Sequence, residues 1–345
     1  MKKAFGTSAT VGETEAYLLK NGKGMEVTVS NYGATVVNIV VPDKDGQPTD
    51  VVLGYDDVNG YESGTCFFGA FVGRVANRIA GGSFTLNDQT YELTKNDGDN
   101  SLHGGMDFMN KRLWNVDRAT DNSVTMHLDS PDKDQGYPGD LKITVTYTVT
   151  EENAFEITYG AVTDADTLAN FTNHSYFNLS GQNSGTVLDQ EVTICADYFT
   201  VADAYSIPTG ELTPVKDTPM DFNESKTIGR DIEADYQPLI FGKGYDHNWV
   251  IRGEGFRKAA SMYSTKTGIH MDVYTDMPGM QLYTANFVED EVGKGGAIYP
   301  FRSAACFETQ FFPDAIHHDA FKQPVLKANE PFSSKTVYQF TVKNV

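Results

Sequence analysis

The sequence predicts an all-β chain folded as one large antiparallel β-sandwich. Three observations carry this. Apolar and polar residues alternate at period two in several segments, Gly, Asn and Asp clusters interrupt those segments about every ten residues, and no amphipathic helix longer than three turns is evident. The clearest alternation is Leu141, Ile143, Val145, Tyr147 and Val149, separated by Lys142, Thr144, Thr146 and Thr148. That is the pattern of a strand with one face in a core. Val27/Val29, Phe155/Ile157/Tyr159 and Tyr338/Phe340/Val342 repeat it. Phe84–Leu86 and Tyr91–Leu93 flank Asn87-Asp88 and predict a hairpin. Asp43-Lys-Asp-Gly46 predicts another turn; it begins like a calcium loop, but its twelfth position is Gly54, without the bidentate Glu. A short helix is expected between Asn223 and Ile232. Both ends of the chain read as strands. With no linker, low-complexity tract or internal repeat, residues 1–345 are expected to form a single domain, on a count of 32 glycines that supplies many turns.

Composition narrows the function. With 40% apolar residues the chain can bury a large core, and its net charge of −20 repels nucleic acid and anionic membrane surfaces. No stretch of about 18 apolar residues predicts a membrane span, and no apolar run follows Lys2-Lys3 to make a signal peptide. The three cysteines, Cys66, Cys195 and Cys306, are too few and too widely spaced for a disulfide framework or a zinc motif. These features predict a cytoplasmic protein, monomeric or homodimeric, without a cofactor. His317-His318, between Asp314 and Asp319, has no common zinc spacing, so no metal is expected.

Four segments carry chemistry. Gly73-Arg-Val-Ala-Asn-Arg-Ile79 places two arginines and Asn77 near Phe67, Phe68 and Phe71; such charges need a partner or a ligand, and a structural ion pair serves as well as a binding site. Asn100-Ser-Leu-His-Gly-Gly105 sets His103 before two glycines, where backbone can approach a ligand. Asn170-Phe-Thr-Asn-His-Ser-Tyr-Phe-Asn178 interleaves aromatic faces, suited to sugar C–H surfaces, with groups that bind hydroxyls. In Cys306-Phe-Glu-Thr-Gln-Phe-Phe-Pro-Asp314, Glu308 lies amid Phe307, Phe311 and Phe312. Apolar surroundings raise a carboxyl pKa toward the range of a general base.

Together these segments resemble the aldose 1-epimerase, or galactose mutarotase, family. The family's Gly-Arg-x-Ala-Asn-Arg-Ile is matched at Gly73–Ile79, Leu-His-Gly-Gly at Leu102–Gly105 and Asn-His-x-Tyr-Phe-Asn at Asn173–Asn178. Asp-His-Asn follows at Asp246–Asn248, then Gly279-Met-Gln-Leu-Tyr283 and Glu-x-Gln-x-x-Pro-Asp at Glu308–Asp314. The six occur in the family's order. The resemblance implies a mutarotase-like supersandwich with a sugar in an open cleft, and an isomerase that interconverts α and β anomers of free aldohexoses such as galactose and glucose. It implies His174 as general acid on the ring oxygen and Glu308 as general base at the anomeric hydroxyl. Asn77, Arg78, His103, Tyr176, Asp246 and Gln281 are implied to hold the sugar. The residues agree: mutarotation needs one acid and one base near neutrality and no metal or redox group. A glycoside-active enzyme and a non-catalytic sugar-binding domain on the same sandwich are the alternatives. The first would need two carboxylates set for bond cleavage, and the second no histidine–glutamate pair.

Overall fold

The computed structural model describes residues 1–343. Its largest sheet has nine strands, in the spatial order Asn115–Ala119, Ser123–Ser130, Leu141–Val149, Ala154–Thr163, Phe332–Val342, Ile269–Thr275, Arg257–Tyr263, Glu191–Ile194 and Lys226–Thr227. Every pairing in it is antiparallel. Two five-stranded sheets cover its inner face. One is the N-terminal meander Lys2–Ser8, Gly12–Lys20, Glu26–Ser30, Thr35–Pro42 and Pro48–Asp50. The other runs Pro208–Pro214, Ala196–Ala202, Asp246–Ile251, Gly279–Tyr283 and Cys306–Gln310.

The predicted alternation holds. Leu141, Ile143, Val145, Tyr147 and Val149 are buried in the main core, while Lys142 is exposed and the intervening threonines are half-buried. On the outer face Thr146 meets Thr125 at 2.9 Å and Thr148 meets Ser123 at 3.0 Å, hydroxyl to hydroxyl across the strands. The core facing these residues is contributed by both five-stranded sheets: Val27, Val29 and Ile39 from one, Trp249, Met280, Leu282 and Phe307 from the other. Sandwich layering is what buries one face of each sheet.

The hairpin at Asn87-Asp88 forms between Ser83–Leu86 and Gln89–Glu92, both turn residues having positive φ (52° and 61°). The turn at Asp43 also forms, its carboxylate accepting from the backbone of Asp45 and Gln47. The helix expected between Asn223 and Ile232 does not. That segment holds a two-residue strand, Lys226–Thr227, on the edge of the large sheet and one 3₁₀ turn, Ile228–Arg230. The Lys226 ammonium is pulled inward by the Pro219 carbonyl and Asp231. The two α-helices among the described residues are single short ones, Val58–Ser63 and Gln237–Gly242. The first is capped by Asp57, whose side chain accepts from the Asn59 and Gly60 amides.

The sidedness of the sheet makes a stability prediction. Ile143→Ala opens a cavity in the core and lowers the unfolding free energy by roughly 2–5 kcal/mol. Lys142→Ala, on the outer face of the same strand, changes it by about 0.5 kcal/mol or less. Urea titration of both variants measures the difference, and equal costs would contradict the assignment of faces.

Candidate active site

The second five-stranded sheet is the floor of a cleft. Antiparallel register places paired residues on the same face, and its three last strands align their side chains in three rows. Asp246 pairs with Tyr283 and Tyr283 with Cys306; Asn248 pairs with Gln281 and Gln281 with Glu308; Val250 pairs with Gly279 and Gly279 with Gln310. Intervening residues point the other way, so Trp249, Met280, Leu282 and Phe307 enter the core. One face of three strands is therefore polar, and the other is the inside of the sandwich.

A cleft of about 280 Å³ opens over this floor, lined by Asn77, Arg78, His103, His174, Tyr176, Asp246 and Glu308 among others. Those are seven of the eight site residues named from sequence. The eighth, Gln281, stands behind the wall and donates from Nε2 to Asp246 Oδ1 at 2.8 Å. His174 comes from the short strand Thr172–His174, which pairs with Ala70–Val72. Its Nε2 lies 3.6 Å from Glu308 Oε1, too long for a hydrogen bond. Its ring is stacked between Tyr176 (4.9 Å between centroids) and Phe67 (5.9 Å).

Asn77 and His103 lock each other. Arg78–Ile79 pairs with Ser101–Leu102, and the two residues at the ends of that pairing both have positive φ, 63° and 52°. The His103 amide donates to the Asn77 carbonyl at 2.9 Å, and the Asn77 amide donates to His103 Nδ1 at 3.2 Å. A neutral His103 therefore carries its proton on Nε2, as a donor into the cleft. Gly104 is required beside it: a Cβ there would lie 2.1 Å from the Gly73 carbonyl oxygen. Arg78 donates from Nε to Asp97 at 2.7 Å. Arg74, the other arginine of that motif, braces the fold. It is buried, with six hydrogen bonds to Ser130, Pro131, Pro138, Gly139 and Thr167.

Burial sets the electrostatics. Loss of water depresses the His174 imidazole to about 3 and holds His103 well below the usual range, with His174 and Arg78 adding to the effect. The Glu308 carboxyl is raised well above its ordinary value by burial and by Asp246, against the pull of Arg78. Asp246 is raised by burial, with Arg78 and Gln281 opposing. The direction expected for Glu308 holds, but one of its expected causes does not: Phe307 faces the core, and the groups beside Glu308 are His174, Gln281 and its row neighbours.

The fold also assembles a cluster that sequence spacing hides. His103, His174 and Glu308, all buried, bring ligand atoms within 4.8 Å of one another. The Asn77 amide argues against a metal there. A cation on His103 Nε2 would force the ring proton onto Nδ1, against the N–H that Nδ1 now accepts. His317 and His318, the other histidine pair considered, both turn to Asp314, at 2.6 and 3.5 Å.

Sequence reasoning missed Thr65, Cys66, Tyr283, Phe287 and Val288 on the cleft wall. Tyr283 was findable, being two residues beyond Gln281 on the same face. Cys66 is half-buried on the wall, its thiol pushed up to about 12 by burial and Glu291. Thr65–Phe67 and Phe287–Val288 lie on connecting segments without a local signal.

Known proteins share this architecture. A family profile described as Aldose 1-epimerase matches residues 15–339. The chain is 40% identical over 333 residues to the galactose mutarotase of Bos taurus, covering 96% of this chain and 95% of that protein. It is 36% identical over 326 residues to the aldose 1-epimerase of Escherichia coli K12, covering 93% and 94%. Among solved structures, an aldose epimerase homologue from C. elegans superposes with a TM-score of 0.89 at 32% identity, covering 96% of this chain and all of the other. A galactose 1-epimerase from Lactobacillus acidophilus gives 0.88 at 26% identity, covering 100% and 99%. Sheet, cleft and relatives agree, and the chain belongs to the aldose 1-epimerase family, whose members are isomerases acting at the anomeric centre of free sugars.

Proposed function

We propose that the protein interconverts the α and β anomers of free galactose and glucose, with His174 as general acid and Glu308 as general base. The observation that carries this is the 3.6 Å approach of His174 Nε2 to Glu308 Oε1 on the cleft floor. O1 and the ring oxygen of a hemiacetal share one carbon, so the groups that serve them must stand this close. Glu308 takes the O1 proton while His174 delivers one to the ring oxygen. The C1–O5 bond opens to an aldehyde, the C1–C2 bond turns, and the same transfers in reverse close the ring on the other face.

The pair holds one titratable proton throughout, so the reaction moves it without changing the charge of the site. In the empty cleft burial puts that proton on Glu308. A bound sugar favours the other placement, because its O1 hydroxyl donates to an ionised carboxylate and its ring oxygen accepts from an imidazolium. Asn77, Arg78, His103, Tyr176 and Asp246 hold the remaining hydroxyls, with Gln281 fixing Asp246. Arg78, the cation on the cleft wall, is already paired with Asp97, which favours an unphosphorylated sugar. Cleft residues drawn from positions 65 to 308 support a chain that acts as one unit, and three free cysteines suit a cytoplasmic enzyme.

Glu308→Gln keeps the shape of the base but cannot take a proton. It should lower turnover by roughly 10²–10⁴-fold with sugar binding retained, read by polarimetry on pure α-galactose and calorimetric titration of the sugar. Normal turnover would remove Glu308 from the mechanism.

The shifted pair also fixes a pH profile. Activity needs one proton on the pair. It is lost on the alkaline side as that proton leaves, above the ordinary carboxylate range, and on the acid side as His174 takes up a second proton near 3. The acid limb of kcat/KM should therefore lie well below the ordinary imidazole value of about 6.5. A limb at that value would contradict a buried, neutral His174 in the free enzyme.

The His103 tautomer predicts that exhaustive chelation leaves the mutarotation rate unchanged. Loss of activity restored by a divalent ion would overturn that assignment.

A further inference from the structure

The row beside the base holds more polar groups than a sugar-facing surface accounts for. Gln310 follows Glu308 by two residues on the same face of the strand, is 0% exposed, and has neither its amide oxygen nor its nitrogen bonded to protein. Asn248, two strands away, is 1% exposed with both amide atoms likewise unpartnered. Gln281 Oε1 and Glu308 Oε2, in register with Asn248 across the same three strands, are buried without partners too. Six unpartnered polar atoms thus belong to four residues on one face of three adjacent strands. Each buried polar atom left unpaired costs roughly 1–3 kcal/mol, so six in one place require a polar occupant.

Gly279 lets the Asn248 amide come this close to the strand. It pairs with Gln310 on one side and precedes Gln281 on the other, and a Cβ on it would stand 2.5 Å from Asn248 Oδ1 and 2.7 Å from the Phe312 ring. Neither Gln310, Asn248 nor Gly279 lines the sugar cleft.

We propose that Asn248, Gln281 and Gln310 hold ordered water against Glu308 Oε2, and that Gln310 is thereby a positioning residue for the catalytic base. This rests on the assignment of Glu308 as base. Amide groups of both polarities are what a buried water, which typically makes about three hydrogen bonds, requires. Water held there donates to Oε2, favours the ionised carboxylate and keeps Oε1 turned to the sugar. The other titratable and charged groups around Glu308 are His174, His103, Tyr176, Asp246, Tyr283, Cys306 and Arg78 with Asp97 behind it, and Tyr338 from the core side. None changes when Gln310 is replaced.

Gln310→Met keeps length and volume and removes both hydrogen-bonding groups. Turnover should fall on the order of tenfold, a fraction of the 10²–10⁴ ascribed to a general base, with KM within about twofold. Losing donors to the carboxylate raises its pKa, so the alkaline limb of kcat should move to higher pH. Gln310→Glu, which keeps the reach and the acceptors, should recover part of the turnover if protonated. Gly279→Ala provides an independent route: its φ is not in the left-handed region, and its methyl would drive into the Asn248 amide and the Phe312 ring, displacing a second water partner while leaving Gln310 in place. A crystal structure of the parent should show water within hydrogen-bond distance of Glu308 Oε2 and Gln310. Parent-like turnover and pH profile in both Gln310→Met and Gly279→Ala, with only thermal stability lowered, would overturn the proposal. So would a crystal structure with no water on Glu308 Oε2. If Glu308→Gln retained activity, the base itself would be misassigned, an outcome distinguishable from either.

Discussion

The site depends on the register of three strands. A slip of one residue between Gly279–Tyr283 and Cys306–Gln310 would carry Phe307 to the cleft and Glu308 to the core. The register is held from beneath by burial: Trp249, Met280, Leu282 and Phe307 lie at or near zero exposure against the nine-stranded sheet. The hydrophobic effect on one face thus fixes the polar arrangement on the other. A floor built this way needs few hydrogen bonds among its own polar groups, which stay available to a ligand.

The same construction explains which features the sequence made legible. Alternation over Leu141–Val149 exposes a strand because both of its environments are simple. Site residues on regular strands followed: once Glu308 is placed, Gln310 and Cys306 share its face by parity alone. Residues brought by connecting segments, such as Thr65, Cys66 and Phe287, carry no period and stayed hidden. The misplaced helix near Asn223 has a related cause. A two-residue edge strand ending in a 3₁₀ turn has too few residues to show a period, and there Lys226 is bound by a distant carbonyl and Asp231 instead of helical packing. The metal-like grouping of His103, His174 and Glu308 arises from segments more than 200 residues apart at the extremes, beyond any spacing rule.

A strongly acidic protein keeps the carboxylate proposed to react away from its own surface field. Glu308 answers to burial, Asp246 and Arg78 more than to the −20 of the whole chain, because exposed charges are screened over about 8–10 Å at ordinary ionic strength. An uncharged sugar is indifferent to that field, so acidity can serve solubility without obstructing substrate entry.

The strand Phe332–Val342 lies in the middle of the nine-stranded sheet, between Ala154–Thr163 and Ile269–Thr275. Among the described residues it is the hydrogen-bonded link between the two halves of that sheet, and Tyr338 and Thr336 reach across to bond the Phe307 carbonyl and the Thr309 hydroxyl on either side of Glu308. During synthesis neither half can complete its ladder until this segment has left the ribosome. The strand that carries Glu308 gains its support only then. The chain must therefore pass through a stage with two unsealed strand edges and an unsupported reactive centre, and its folding is governed by contacts of very long sequence separation.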